Sequence, residues 1–378
     1  MITAMNRHEK RPRVSSQMIK GSNSRVTHIL CILLLLLSAL LLSGCAKKEK
    51  TYKESRTAMY TTCTITVVSP SRARAKEAID AGFAEITRLE ALLNYYSADS
   101  EITAINNNAG KGPVRVSKET LDITAKALAV AEATGGAFNP AIGPVVKLWE
   151  SARQEPEHPL PSGEIISETL KLVDYSRINI NEADSEIFLM DEGMEIDLGG
   201  IAKGYAADKA IGTIRASGIR SALVSIAGDI KGSGLKIDNK PWRVGLQDPR
   251  SKNSESQEKE YEIITTITLS DRAVSTSGDY QRFFFRDGKR YHHIIDPRTG
   301  YPTESSLISV SVMASEGYMA DGLSTGIFIL GPERGIVLLE SMHLDGILVD
   351  KDKRVYITEN LRGGINILNK EYQMANSQ

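Results

Sequence analysis

The chain has 378 residues, a formal net charge of −1 and 41% hydrophobic residues. Balanced charge argues against a nucleic-acid binder and against an acidic disordered tail, and the composition is that of an ordinary globular protein. Of the three cysteines, Cys31 and Cys45 lie in the N-terminal segment and Cys63 has no further partner, so packing rather than disulfides must hold the fold.

Lys20 and Arg25 precede an apolar run from Ile29 to Leu42, too short for a comfortable membrane span. The run ends in Leu42-Ser43-Gly44-Cys45, which looks like a bacterial lipobox. The expectation is a lipoprotein signal peptide over 1–44, lipidation at Cys45 and a tether over 45–56. One folded domain over 57–370 and a tail over 371–378 would follow. The protein would then sit in the cell envelope, lipid-anchored to a membrane on its periplasmic, extracytoplasmic face.

Met59 to Ser69 alternates like a strand, with Cys63, Ile65 and Val67 on one side. Ser71 can cap a helix to about Leu93, in which Ile79, Phe83, Ile86, Leu89 and Leu93 form a buried stripe. Asn94-Tyr95-Tyr96-Ser97 then offers aromatic faces to a planar ring or to the core. Ser117 starts a second helix that Gly135-Gly136 stops. Residues 154–163 read as a Pro-rich surface loop. Strands dominate from Arg177, at 177–180, 186–190, 194–198, 221–227, 242–247, 261–270, 291–295, 306–313, 345–350 and 354–358. Helices fall near 201–216, 318–329 and 332–341, and 250–260 reads as a polar loop. Helices early and strands late indicate an α+β fold.

Three polar, glycine-punctuated turns could carry chemistry. His293-Ile294-Ile295-Asp296-Pro297-Arg298-Thr299-Gly300 ends a strand in a turn, because Pro297 disfavours helix at Asp296 and Gly300 permits positive φ. Asp197-Leu198-Gly199-Gly200-Ile201-Ala202-Lys203-Gly204 leads from a strand into a helix, with Lys203 in a first turn that would ordinarily favour an acid. Asp321, Ser324 and Thr325 stand at i, i+3 and i+4, so one helical face carries a carboxylate and two hydroxyls, a set suited to a hard cation. Read singly, each is equally a structural turn, a solvated lysine or a helix cap. Ser225-Ile226-Ala227-Gly228-Asp229 and Ser275-Thr276-Ser277-Gly278-Asp279-Tyr280 are weaker pieces that read as turns. No Ser-His-Asp order or CxxC pair is present, and only His292 and His293 lie near a polar cluster, so any imidazole proton transfer falls to one of them.

In their order along the chain these motifs resemble those of the ApbE family, flavin transferases that attach FMN from FAD to proteins. The resemblance implies an α+β, two-lobed fold with mixed and antiparallel sheets and a flavin cleft between the lobes. It implies FAD contacts at Met59, Tyr96, Ala137, Phe138, Asn139, Asp197, Lys203 and Ile295, and Mg²⁺ held by Gly200, Asp321, Ser324 and Thr325. FAD would be a substrate, Mg²⁺ the cofactor, and the acceptors proteins with flavinylation motifs, such as Rnf- or Nqr-type electron-transfer subunits. The family often has Gly where this chain has Tyr60, Gly-Gly where it has Ala227-Gly228, and Asp where it has Asn139. His293 is the candidate base, with Asp296 orienting it. The residues alone leave two other readings open: an FAD pyrophosphatase giving FMN and AMP, and a non-catalytic anchored flavin-binding protein.

Overall fold

A computed structural model describes residues 28–30, 48–154, 157, 159–251 and 262–375. The lipobox with Cys45, and most of the expected signal peptide, lie outside the described residues, as does most of the expected polar loop at 250–260. From Glu49 onward the described chain belongs to one compact unit.

Strands β1 (Lys50–Ala58) and β2 (Thr61–Ser69) form an antiparallel hairpin that opens the domain. The expected tether is therefore largely strand. Its charged residues concealed it, because β1 lies at the sheet edge, where polar side chains are normal. Met59, expected to begin a strand, lies with Tyr60 in the two-residue turn, and both have positive φ (51° and 57°) as a type I′ turn requires. On β2, Cys63, Ile65 and Val67 are fully buried, and burial pushes the Cys63 thiol up to about 11. Helix α1 (Arg72–Leu93), capped by the Ser71 hydroxyl, covers this face with Ile79, Phe83, Ile86, Leu89 and Leu93.

There follow α2 (Glu101–Asn107), β3 (Val114–Arg115), α3 (Lys118–Ala133), α4 (Gly143–Gln154), α5 (Gly163–Leu170), β4 (Ile178–Asn181) and β5 (Glu186–Leu189). Strands β3, β5 and β4 make a small antiparallel sheet. The stretch 194–198, expected as a strand, is in none of the sheets. A side chain replaces the missing neighbour: Ile196 N–H donates to Asn106 Oδ1 (2.7 Å) and its carbonyl accepts from Asn106 Nδ2 (3.0 Å).

The remaining elements are α6 (Ala202–Ala216), β6 (Ala222–Ile226), β7 (Asp229–Ser233), β8 (Trp242–Gln247), β9 (Ile263–Leu269) and β10 (Ala273–Gly278). Then come β11 (Phe283–Arg286), β12 (Lys289–His292), β13 (Leu307–Ala314), α7 (Gly317–Leu330), α8 (Pro332–Ser341), β14 (Asp345–Asp350), β15 (Arg354–Ile357) and β16 (Gln373–Met374). The main sheet runs β1-β2-β6-β7-β10-β13-β14-β15-β16 and is antiparallel except at β15–β16. Ser275–Gly278, expected as a turn, is a central strand, because its hydroxyls pair across to β13 (Thr276 with Ser311, 2.8 Å). Both faces of the sheet are buried. Along β13, Val310, Val312 and Ala314 enter the core shared with α1, α6 and α7, while Ile308 and Met313 enter a second core shared with β8 and β9. Expectation and structure agree on the α+β class.

A candidate active site where two helices cross

Helices α6 and α7 touch through glycines. A Cβ on Gly204 would lie 2.1 Å from the Gly317 carbonyl oxygen, and one on Gly317 would lie 2.5 Å from the Gly204 carbonyl oxygen. The Asp208 carboxylate locks the approach by accepting from Gly317 N–H (2.8 Å) and Tyr318 N–H (3.1 Å), the unpaired start of α7. This close crossing sets the second and third turns side by side. Gly204 N–H donates to Asp321 Oδ2 (2.9 Å), and Lys203 Nζ reaches Asp321 (3.4 Å) and Asp229 (2.7 Å). Both carboxylates are almost fully buried.

Two buried anions around one ammonium leave the cluster one negative charge in excess. Burial alone would lower the Lys203 pKa, but Asp229 and Asp321 outweigh it and hold the ammonium well above its ordinary value. Asp321 moves the other way. Burial, then repulsion from Asp229, pushes it from 3.8 up to about 6 against the pull of Lys203 and the Gly204 N–H. Asp229, absent from the expected site residues, is thus half of the cluster. Its sequence signal was slight, a carboxylate just after the Ala227-Gly228 turn.

The hydroxyls divide between two roles. Thr325 Oγ1 would lie 3.5 Å from a Cβ on Gly200, so the Gly200 turn and the α7 face meet as expected. Ser324 differs. It is fully buried, its hydroxyl donates to the Asp321 carbonyl (2.8 Å), and it pairs with Ser277 (2.8 Å). Ser324 therefore braces α7 against β10, and Thr325, 3.2 Å from Ser277, is the hydroxyl beside Gly200. Among the described residues no group of three His, Cys, Asp or Glu side chains could hold a metal.

The first turn supplies the imidazole. His292 is locked: Nε2 donates to the Thr303 carbonyl (3.0 Å) and Nδ1 accepts from Ile294 N–H (3.2 Å). His293 is exposed, and its Nδ1 faces the Arg282 carbonyl at 3.2 Å. A carbonyl can only accept, so Nδ1 carries the proton and Nε2 keeps a basic lone pair. Surrounding protein, then the charges of Arg282, His292 and Lys203, push His293 down to about 4, so it is neutral at physiological pH. The expected Asp296–His293 pair does not form. Asp296 accepts from Arg298 N–H (2.9 Å), Nε (2.8 Å) and Nη2 (2.6 Å), because the Pro297 turn folds its carboxylate onto its own loop. The Arg282 carbonyl takes the orienting role.

The remaining expected residues form the surroundings. Tyr96 is 58% exposed, lies edge-on to Tyr60 (6.4 Å) and Tyr95 (5.1 Å), and is raised to about 12 by burial of its inner part and by the charge of Asp197. Asp197 is half-buried. Burial raises its pKa, whereas Gly199 N–H (2.8 Å) and Arg282 favour its charge. Ala137 and Phe138 are buried, and the Phe138 ring would lie 3.2 Å from a Gly200 Cβ. Asn139 spends Oδ1 on Ala141 N–H (2.9 Å), capping the turn that leads into α4. Ile295 packs with Trp149, whose Nε1–H donates to the Gly300 carbonyl (2.7 Å). Tyr60 and Ala227 both stand at positive φ (57° and 53°). These are two of the places where the family often has Gly, and each costs about 1 kcal/mol.

An ammonium held between two buried carboxylates, with a neutral imidazole that its charge reaches, gives the site groups that can fix charge and move a proton, as a group-transfer enzyme requires. The comparisons agree. The ApbE family profile matches residues 59–348. The FAD:protein FMN transferase of Treponema pallidum is 33% identical over 87% of this chain and 92% of its own length, and one from Klebsiella pneumoniae is 35% identical over 77% and 88%. The solved ApbE protein of Thermotoga maritima superposes with a TM-score of 0.75 at 31% identity, over 83% of this chain and 98% of its own. Flavin transferase ApbE from Vibrio cholerae gives 0.73 at 27%, over 83% and 99%. The chain belongs to the ApbE family.

Proposed function

We propose that this chain is a transferase that moves the FMN moiety of FAD onto a Thr or Ser hydroxyl of an acceptor protein and releases AMP. The observation that carries the reading is the Asp229–Lys203–Asp321 cluster beside Gly200 and Thr325. Its chemistry fits a divalent cation: every donor is an oxygen, and the cluster has one uncompensated negative charge. Asp321, the Gly200 carbonyl and Thr325 would hold Mg²⁺, with Ser324 behind them. When bound, Mg²⁺ would neutralise the pyrophosphate and the charge developing on AMP.

The protein's own groups account for the rest. Lys203 supplies fixed positive charge, and α6 begins beside it at Ala202. The FAD contacts expected from the family are Met59, Tyr96, Ala137, Phe138, Asn139, Asp197, Lys203 and Ile295. The exposed Tyr96 face and the Phe138 ring beside Gly200 support them. His293 Nε2 accepts the proton of the incoming hydroxyl. The hydroxyl oxygen bonds to the FMN-side phosphorus, and the bond from that phosphorus to the bridging oxygen breaks, its electron pair leaving on AMP. Incubation with FAD, Mg²⁺ and an Nqr-type acceptor should raise the acceptor's mass by one FMN phosphoester. Conversion of FAD to FMN and AMP with no change in acceptor mass would instead establish a pyrophosphatase, and tight FAD binding without turnover a flavin-binding protein. The lipobox sequence supports anchoring at Cys45 to the extracytoplasmic face of a membrane, near Rnf- or Nqr-type acceptors.

A further inference from the structure

The hairpin β11–β12 places a second group opposite the proposed base. Phe283 pairs with His292, and the ladder continues outward, His293 N–H donating to the Arg282 carbonyl at 3.1 Å. Arg282 and His293 are therefore direct cross-strand partners. Such partners share one face of a ribbon, with Cβ atoms about 5 Å apart. The next pair on that face, Phe284 and Tyr291, stacks at 5.4 Å, and Tyr291 stacks on Trp149 of α4. That face is thus seated against α4 through Tyr291, two residues along the chain from His293.

Arg282 also carries an unspent charge among the described residues. Arg250 and Arg290 both bind Asp279, Arg298 binds Asp296 and Arg153 binds Glu150. Arg282 is exposed, and among the described residues no ion pair or hydrogen bond engages its guanidinium. Its charge is nevertheless felt at Asp197, Tyr96 and His293, residues contributed by three separate segments. A guanidinium left without a carboxylate beside a proton acceptor is placed for an anion that arrives with the substrate.

We propose that Arg282 is a catalytic residue whose guanidinium binds the non-bridging oxygens of the phosphoryl group attacked by the hydroxyl that His293 deprotonates. The inference rests on the transferase reading and extends it. An oxygen within reach of His293 and bonding to phosphorus brings that phosphoryl group within reach of the opposite side chain, and the planar fork of arginine matches two phosphate oxygens. Such a cation contributes most as charge redistributes in the transition state.

The test uses the whole chain with FAD, Mg²⁺ and an Nqr-type acceptor, comparing wild type, Arg282→Ala, Arg282→Lys and His293→Ala. Arg282→Ala should lower kcat by about 10²–10³-fold while FAD affinity, read by flavin fluorescence, falls less than about tenfold. Arg282→Lys should lie between it and wild type. Added guanidinium should restore at least about tenfold of the activity of Arg282→Ala and none of that of His293→Ala, a response that a merely structural arginine would not give. Wild-type kcat in Arg282→Ala, or a loss that neither lysine nor guanidinium relieves, overturns the proposal. A wild-type chain that transfers nothing overturns the transferase reading instead.

Discussion

Replacing Asp321 with Asn should make the protein more stable and less active. Asp321 is 3% exposed, and burial plus repulsion from Asp229 raise its pKa from 3.8 to about 6. The folded state therefore binds this proton more tightly than the unfolded chain does. Stability from this group is full below about pH 4, declines as pH rises towards about 6, and stays at its reduced level above that. Two pKa units at about 1.4 kcal/mol each put the loss on the order of 3 kcal/mol at neutral pH. Asparagine keeps the shape and an oxygen for the Gly204 N–H (2.9 Å in the wild type), yet carries no charge to bury. Urea denaturation without Mg²⁺ or FAD should show the variant more stable by up to about 3 kcal/mol at about pH 7.5 and level with wild type near pH 4. Transfer should be lost, and so should the stabilisation that Mg²⁺ gives the wild type. A variant less stable at neutral pH would show that attraction to Lys203 outweighs desolvation, and unaltered Mg²⁺-dependent transfer would remove Asp321 from the cation site.

His293→Ala should abolish flavin transfer while FAD still binds, as measured by acceptor mass and flavin fluorescence; undiminished transfer would exclude the imidazole. Gly204→Ala drives a Cβ to 2.1 Å from backbone that cannot turn aside, so denaturant unfolding should show a loss of about 3 kcal/mol and weaker FAD binding as α6 and α7 separate. Gly300→Ala combines a φ of +73° with a Cβ 2.4 Å from Ile166. It should cost about 2–3 kcal/mol and change Trp149 fluorescence, since Trp149 bonds the Gly300 carbonyl; an unchanged spectrum and stability would contradict the packing described.

Local pattern sufficed for much of this molecule. The apolar stripe of α1, its Ser71 cap, the buried strands β13 and β14 and the glycine-bounded turns all act over a few residues, so they could be read in order along the chain. So could the carboxylate and hydroxyl that Asp321 and Thr325 set on one helical face, and the presence of an imidazole just before the Pro297 turn. Strand β1 escaped because an edge strand needs no apolar face, and 194–198 was misread because an Asn106 side chain stands in for a neighbouring strand.

Partnership between distant segments was settled only by the tertiary fold. Asp229 joined Asp321 through Lys203 because two glycines let α6 and α7 approach closely. The Arg282 carbonyl stands at His293, where Asp296 was expected, because strand register puts residues 282 and 293 opposite each other. Composition and spacing specify which groups a segment carries. Which of them share a charge, a proton or a ligand depends on through-space distance, and that is fixed by helix crossings and cross-strand pairing between segments far apart in the chain.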